Sequence, residues 1–218
     1  MEFLPVLAYF LPIVFLAAFI GNLGHRSLLF LAWGCIAAIP VYILATPLAL
    51  QFPEIVAPTV TLSPLIEEFF KALPLAIAFM IGIRMDNREV LACAMASGIG
   101  FSIIENWMSF GLVPAGFIVV LVRSFSTTLM HGCTCAIIGY GLVLIRDLHR
   151  VALPALLLGF YMVAVTVHAF FNLNALYLGP GGVIFDLVFP VALFLFMLIC
   201  YHVDLPTIFR PDPVSRNG

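Results

Sequence analysis

An all-α, polytopic bundle of about seven transmembrane helices is the architecture this sequence predicts, and three observations predict it. Of its 218 residues 64% are hydrophobic and only 9% charged, and no soluble domain of this size buries so much apolar surface. The apolar residues fall into seven stretches, roughly 3–21, 28–50, 63–83, 89–110, 121–145, 152–176 and 182–202, each about long enough to cross hydrocarbon as a helix. Basic residues then alternate between the loops. Arg26 follows the first stretch, Arg84 and Arg88 the third, Arg146 and Arg150 the fifth, and Arg210 and Arg216 the seventh, whereas the intervening loops have none unless Arg123, at the mouth of the fifth stretch, is counted. Retention of Lys and Arg on the cytoplasmic side places the N-terminus outside and the C-terminus in the cytoplasm.

The individual elements follow from local signals. Met1-Glu2-Phe3-Leu4 lacks the basic start of a cleaved signal peptide, so the first span is expected to be retained. Ser63 followed by Pro64 reads as the start of the third helix, with Ser as N-cap and Pro at the first helical position. Residues 111–122 either form a short re-entrant piece or lengthen the fifth helix. In Ser97-Gly98-Ile99-Gly100 the small residues suit close helix packing. The five cysteines all lie in apolar stretches and read as small core residues. Trp33, Trp107 and Tyr177 read as packing or interface anchors, and His25, His149 and His202 as solvated groups at the cytoplasmic ends. Residues 1–205 form one transmembrane domain and 206–218 a cytoplasmic tail. The formal net charge of −2 identifies no partner, and no basic stripe suggests nucleic acid.

Chemistry concentrates where charge interrupts the apolar pattern. Glu67, Glu68 and Lys71 sit inside the third span. A charge at bilayer depth costs at least ~2.5–3.5 kcal/mol, so such a cluster is a functional-site hypothesis by default. Glu67 and Lys71 are four apart and Glu68 and Lys71 three apart, so either pair can meet on a helix, while the two acids point about 100° apart and cannot play the same part. With the helix starting at Ser63, both acids lie about 6–8 Å below the outer end. Glu105 near the end of the fourth span, His131 in the fifth, and His168 with Asn172 one turn apart in the sixth reach a similar depth. Asp186, early in the seventh, is either a supporting partner or a helix-entry acid. Arg123 either snorkels to the outer surface or pairs with Glu105.

These residues form a recognisable set. Glu67-Glu68-Phe69-Phe70-Lys71 matches EExxK, Phe101-Ser102-Ile103-Ile104-Glu105 matches FxxxE, and His168-Ala169-Phe170-Phe171-Asn172 matches HxxxN. His131, in a span continuing to Gly139-Tyr140-Gly141, adds a fourth. The set, over roughly 57–178, resembles the PrsW family of intramembrane proteases, relatives of the type II CAAX prenyl proteases and bacteriocin-processing enzymes. The resemblance implies endoproteolysis of a membrane-anchored protein near the outer face of a bacterial or archaeal cell membrane. Its characteristic substrate is a membrane-spanning anti-sigma factor. It also implies that His168 and Asn172 face the substrate carbonyl as oxyanion donors.

Amide hydrolysis needs an activated water, charge stabilisation for the tetrahedral oxyanion, and a proton for the leaving amine. With no G-x-S-x-G elbow and no H-E-x-x-H helix, a carboxylate is the best base, and Glu67 is the choice. Pro74 removes its own N–H and thereby frees the carbonyl of Phe70, which is then available to hold water or a substrate strand. Glu67, Glu68, Glu105, His131 and His168 supply the mixed nitrogen and oxygen set that suits Zn²⁺ with one position open for water. A metal-free carboxylate–imidazole network is the alternative mechanism. From a different functional class, an ion- or proton-coupled transporter could use the same Glu/His/Lys cluster. Against it stand the grouping near one face and the lack of an inverted repeat.

Overall fold

A computed structural model describes residues 24–51, 58–112, 117–146, 153–177 and 180–203, with Pro12, Val14 and Ala17 as isolated positions. The first predicted span, His149 and the tail 206–218 lie outside the described residues. Within them are six helices and no strand: α1 (His25–Gln51), α2 (Pro58–Met80), α3 (Asn87–Leu112), α4 (Phe117–Ile145), α5 (Leu153–Tyr177) and α6 (Pro180–Val203). All but α2 are long and apolar enough to cross a membrane. The exception, 23 residues long, is the helix that carries Glu67, Glu68 and Lys71. Residues 117–122 belong to α4, so this half of the uncertain segment lengthens the fifth predicted helix; 113–116 lie outside the described residues.

The centre of the bundle is α3 and α4, which pack on each other; α1 covers α3 while α5 and α6 cover α4. Ala94, Ala96, Cys133 and Cys135 on the central pair are fully buried, and no described cysteine is in a disulfide. Outer helices expose Ile43, Leu158 and Ile184, the arrangement expected where lipid rather than water is the solvent. The small residues set the spacing. A Cβ on Gly34 would run into the backbone of Ser97 and Phe101, one on Gly100 into the carbonyl of Leu31, and one on Gly98 into the carbonyl of His131. Without side chains at these points α1 and α4 approach α3 at backbone contact, as the Ser97–Gly100 stretch predicts. Polar side chains fix the α3–α4 register further: Thr128 donates to Ser102 at 3.2 Å, and the Thr127 hydroxyl lies 3.0 Å from the Asn106 side-chain oxygen.

Helix α2 begins five residues earlier than Ser63 and Pro64 suggest. Pro58 occupies its first position, a place that wastes no hydrogen bond, and Pro64 falls in the second turn. A second internal proline, Pro74, follows. Prolines are tolerated inside membrane helices when neighbours satisfy the freed backbone groups, and at Pro74 a neighbour does. The indole nitrogen of Trp33 donates to the Phe70 carbonyl at 2.8 Å, the group that Pro74 leaves without an intrahelical donor. That carbonyl is therefore taken, not free for water or substrate, and Trp33 is more than a packing anchor. Three other donors grip α2 in the same manner: Ser97 on the Lys71 carbonyl at 2.7 Å, Tyr161 on Leu65 at 2.5 Å, and Asn172 on Thr59 at 2.8 Å. At its other end α2 closes in a Schellman turn: Gly82 has φ +78°, Ile83 N–H donates to Ala78 and Gly82 N–H to Phe79.

The arginines gather at one end of the bundle. Arg26 bonds Glu89 at 3.0 Å and the Arg84 carbonyl at 3.0 Å; Arg146 bonds the Met85 carbonyl and Asn87; Arg88 lies over the Tyr201 ring. This end holds the start of α1, the α2–α3 turn and the end of α4.

Candidate active site

Four helices converge on one buried polar cluster. From the start of α2 to Glu67 is nine residues, or ~13 Å. From Glu105 to the end of α3 is seven residues, ~10 Å, and from His168 to the end of α5 nine, ~13 Å. His131 is at the midpoint of α4. The cluster therefore lies deeper than the 6–8 Å expected from a helix start at Ser63. The extra turn and a half of α2 accounts for the difference.

The two adjacent acids divide their work as their 100° offset predicts. Glu68 is wholly buried, and its Oε1 receives Lys71 Nζ at 2.6 Å, His168 Nδ1 at 2.8 Å and Thr134 Oγ1 at 2.9 Å. Burying an ion pair is costly unless further hydrogen bonds support it, and this oxygen has three. Lys71, also wholly buried, chooses Glu68 three residues back over Glu67 four back. Its second contact is His131 Nδ1 at 2.8 Å. An ammonium has only donors, so Nδ1 of His131 accepts and Nε2 carries the hydrogen. That hydrogen points at Glu105, whose Oε2 is 2.5 Å from Nε2.

His168 is set the opposite way. Its Nδ1–H is spent on Glu68, so Nε2 presents a lone pair, and 3.6 Å away is Oε2 of Glu67. That carboxylate oxygen is buried and has no hydrogen-bond partner. Two acceptors thus face each other across a gap with nothing between them to donate. Something with positive charge or hydrogens belongs there: a water, or a cation. The rings of His131 and His168 meet edge to face with centroids 4.8 Å apart. Ligand-capable atoms of Glu67, His131 and His168 all lie within 4.8 Å of one another.

The family comparison now decides the class. A model of the PrsW family of intramembrane metalloproteases matches residues 25–200. The chain belongs to the PrsW family. A search of curated proteins and a search of solved structures each returned no match. As a PrsW-family protein the chain is a protease and an integral membrane protein, and an intramembrane protease acts on another membrane protein within the bilayer. Nothing in these findings supports the transport alternative.

The residues that the sequence singles out are brought together almost entirely: Glu67, Glu68, Lys71, Glu105, His131 and His168 form one contiguous network. Asn172 stands one turn beyond His168, its amide nitrogen given to the Thr59 carbonyl. A divalent metal fits the donor set. His168 Nε2 carries a lone pair, the facing Glu67 oxygen lacks a partner, and an outer carboxylate, Glu68, holds the other ring nitrogen of His168, the usual support of a metal-bound imidazole. Arg123 is exposed and makes no ion pair with Glu105. Two supporting residues escape a motif reading. Thr134 is three residues past His131 and Tyr161 two turns before His168, so helical spacing from the two histidines is the signal that finds both.

Proposed function

We propose that this protein cleaves a single-span membrane protein inside the outer half of the bilayer, with Glu67 as general base on a water held between its free oxygen and His168 Nε2. The observation that carries the reading is the pair of facing acceptors, Glu67 Oε2 and His168 Nε2, 3.6 Å apart and undonated. A water placed there gives one hydrogen to each and turns its lone pair toward a substrate carbonyl. Glu68 keeps His168 in the tautomer that accepts, and Lys71 keeps His131 in the tautomer that donates. The Nε2–H of His131, shared with Glu105, is the nearest donor for the oxyanion, and the proton that Glu67 takes from the water is the one passed to the leaving amine. Asn172 stands by as a further oxyanion donor through its remaining amide hydrogen.

In the metal-bound form a divalent cation, zinc being the best match to nitrogen and oxygen ligands, would take the place of that water, held by Glu67 and His168, with His131 joining only once its Nε2 sheds the hydrogen it shares with Glu105; it would lower the pKa of a bound water and polarise the scissile carbonyl. Glu68 supports His168 through its Oε1, while its Oε2, buried without a partner, remains a candidate ligand. The arginine-rich end of the bundle faces the cytoplasm in this reading. The substrate presents its bond from the opposite side, as a membrane-spanning anti-sigma factor of a bacterial or archaeal cell would.

The test is cleavage of a single-span reporter by purified protein in liposomes, together with elemental analysis. Unaltered protein is expected to cut the reporter and Glu67→Gln to leave it intact. Activity is expected to fall with chelation and return with zinc. Cutting by Glu67→Gln at the normal rate sinks the base assignment, and full activity without stoichiometric metal sinks the zinc assignment alone.

A further inference from the structure

Two grooves of about 380 Å³ each open on the cluster from opposite sides and share Glu105. The first lies between α1, α2 and α3. Val41, Tyr42, Ala45 and Met108 wall it, it ends on Glu67 and Glu105, and those two acids are its only charged lining among the described residues. The second lies among α3, α4, α5 and α6 and ends on His131 and Glu105. It carries Arg123, Asn172 and Asp186, so the two grooves differ in chemistry as well as in place.

The second groove holds an unusual combination. Oδ1 of Asp186 is buried without a hydrogen-bond partner. Arg123, exposed on the same groove, forms no hydrogen bond or ion pair through its side chain among the described residues. An acceptor and a fork of donors thus border one space without satisfying each other. A buried acceptor left unpaired is costly, and the missing partner must bring a donor for Asp186 and an acceptor for Arg123. A peptide main chain has both.

We infer that the two grooves are halves of one cleft for an extended peptide, with the apolar flank of the scissile bond in the α1–α2–α3 groove and its polar flank in the α4–α5–α6 groove, gripped through the main chain by Asp186 and Arg123. A strand passing from one groove to the other passes over Glu105, which borders both, meeting Glu67 from the first groove and His131 from the second. The division matches a substrate cut near the end of its membrane span. The hydrocarbon part lies along Val41 and Tyr42, and the residues leaving the membrane lie along Arg123 and Asp186. This rests on the hydrolase reading above and adds the seat and direction of the substrate. Asp186 and Arg123 are positioning residues; they touch no reacting atom.

The experiment places a photo-cross-linking residue at position 42 or 183, one per groove, in the Glu67→Gln background, and presents the single-span reporter in liposomes. Position 42 is expected to capture the apolar segment of the reporter and position 183 the polar segment beyond the scissile bond. In the active protein, Arg123→Gln and Asp186→Asn are each expected to raise KM roughly ten-fold or more, as loss of a hydrogen bond to a charged group does, with kcat changed less than about two-fold. Capture of both segments from a single groove overturns the inference, as does an unchanged KM, while cleavage by the unaltered protein leaves the hydrolase reading standing. Failure of the unaltered protein to cut at all removes that reading, and the cleft with it.

Discussion

Trp33→Phe isolates the hydrogen bond that holds the proline-bearing helix against its neighbour. In α2 the Phe70 carbonyl would normally accept from residue 74, but Pro74 has no N–H, and the only donor the structure gives it is the Trp33 indole at 2.8 Å. Phenylalanine retains most of the ring and its packing but removes the donor. The carbonyl is then stranded in a partly buried setting, which costs ~1–3 kcal/mol. Pro74→Ala supplies the missing N–H from within the helix. In that background the same Trp33→Phe change removes a donor from a carbonyl that already has one, and its cost should fall below ~1 kcal/mol. The coupling between the two sites is therefore expected at ~1–2 kcal/mol, within the range seen for residues in one hydrogen-bond network. It is read from a double-mutant cycle of equilibrium unfolding in detergent micelles. Equal destabilisation by Trp33→Phe with and without the proline would refute the argument, since it would mean that the indole acts through packing and not through the orphaned carbonyl.

Two further predictions concern the cluster. Lys71→Met leaves the wholly buried Glu68 carboxylate without its cation and should destabilise the protein by ~3–5 kcal/mol, whereas Glu67→Gln, at an oxygen that has no partner to lose, should shift stability by less than ~1 kcal/mol while abolishing cleavage; unfolding curves for both variants against reporter cleavage separate the two roles. Gly98→Ala puts a methyl group into the His131 carbonyl, so α3 and α4 must part at the site itself. Unfolding should show destabilisation of ~1–3 kcal/mol, as for overpacking elsewhere, with cleavage lost well beyond what the unfolded fraction explains; a fully active Gly98→Ala protein would mean that the α3–α4 spacing does not position His131.

Much of this site could be read before any coordinates, and the reason is physical. In a chain this apolar an ionisable residue inside a span stands out, so Glu67, Glu68, Lys71, Glu105, His131 and His168 could be picked singly and then found together. The Ser97–Gly100 stretch announced close packing for the same reason: small residues in a membrane helix have few other uses. What sequence could not decide were choices among equally available partners. Lys71 could have met Glu67 or Glu68 by spacing alone; Thr134 and His168, from helices far along the chain, converge on Glu68 and settle it. The start of α2 was misread because Ser63-Pro64 is a good local start signal, yet Pro58 is another, and the helix runs on through Pro64. The capping of Phe70 by Trp33 joins residues 37 apart, beyond the reach of any local pattern.

The three donors on Glu68 also bear on how the protein is made. Translation delivers α2 to the membrane before Thr134 and His168 exist, so at that moment Lys71 is the one cation within reach of Glu68, three residues along the same helix. Glu68 and Lys71 enter lipid as a neutralised pair, leaving Glu67 as the uncompensated acid of the helix, and Glu68 receives its remaining donors when α4 and α5 arrive. The Glu68–Lys71 contact thus precedes the rest of the network, and the polar heart of the enzyme is closed in by segments synthesised after it.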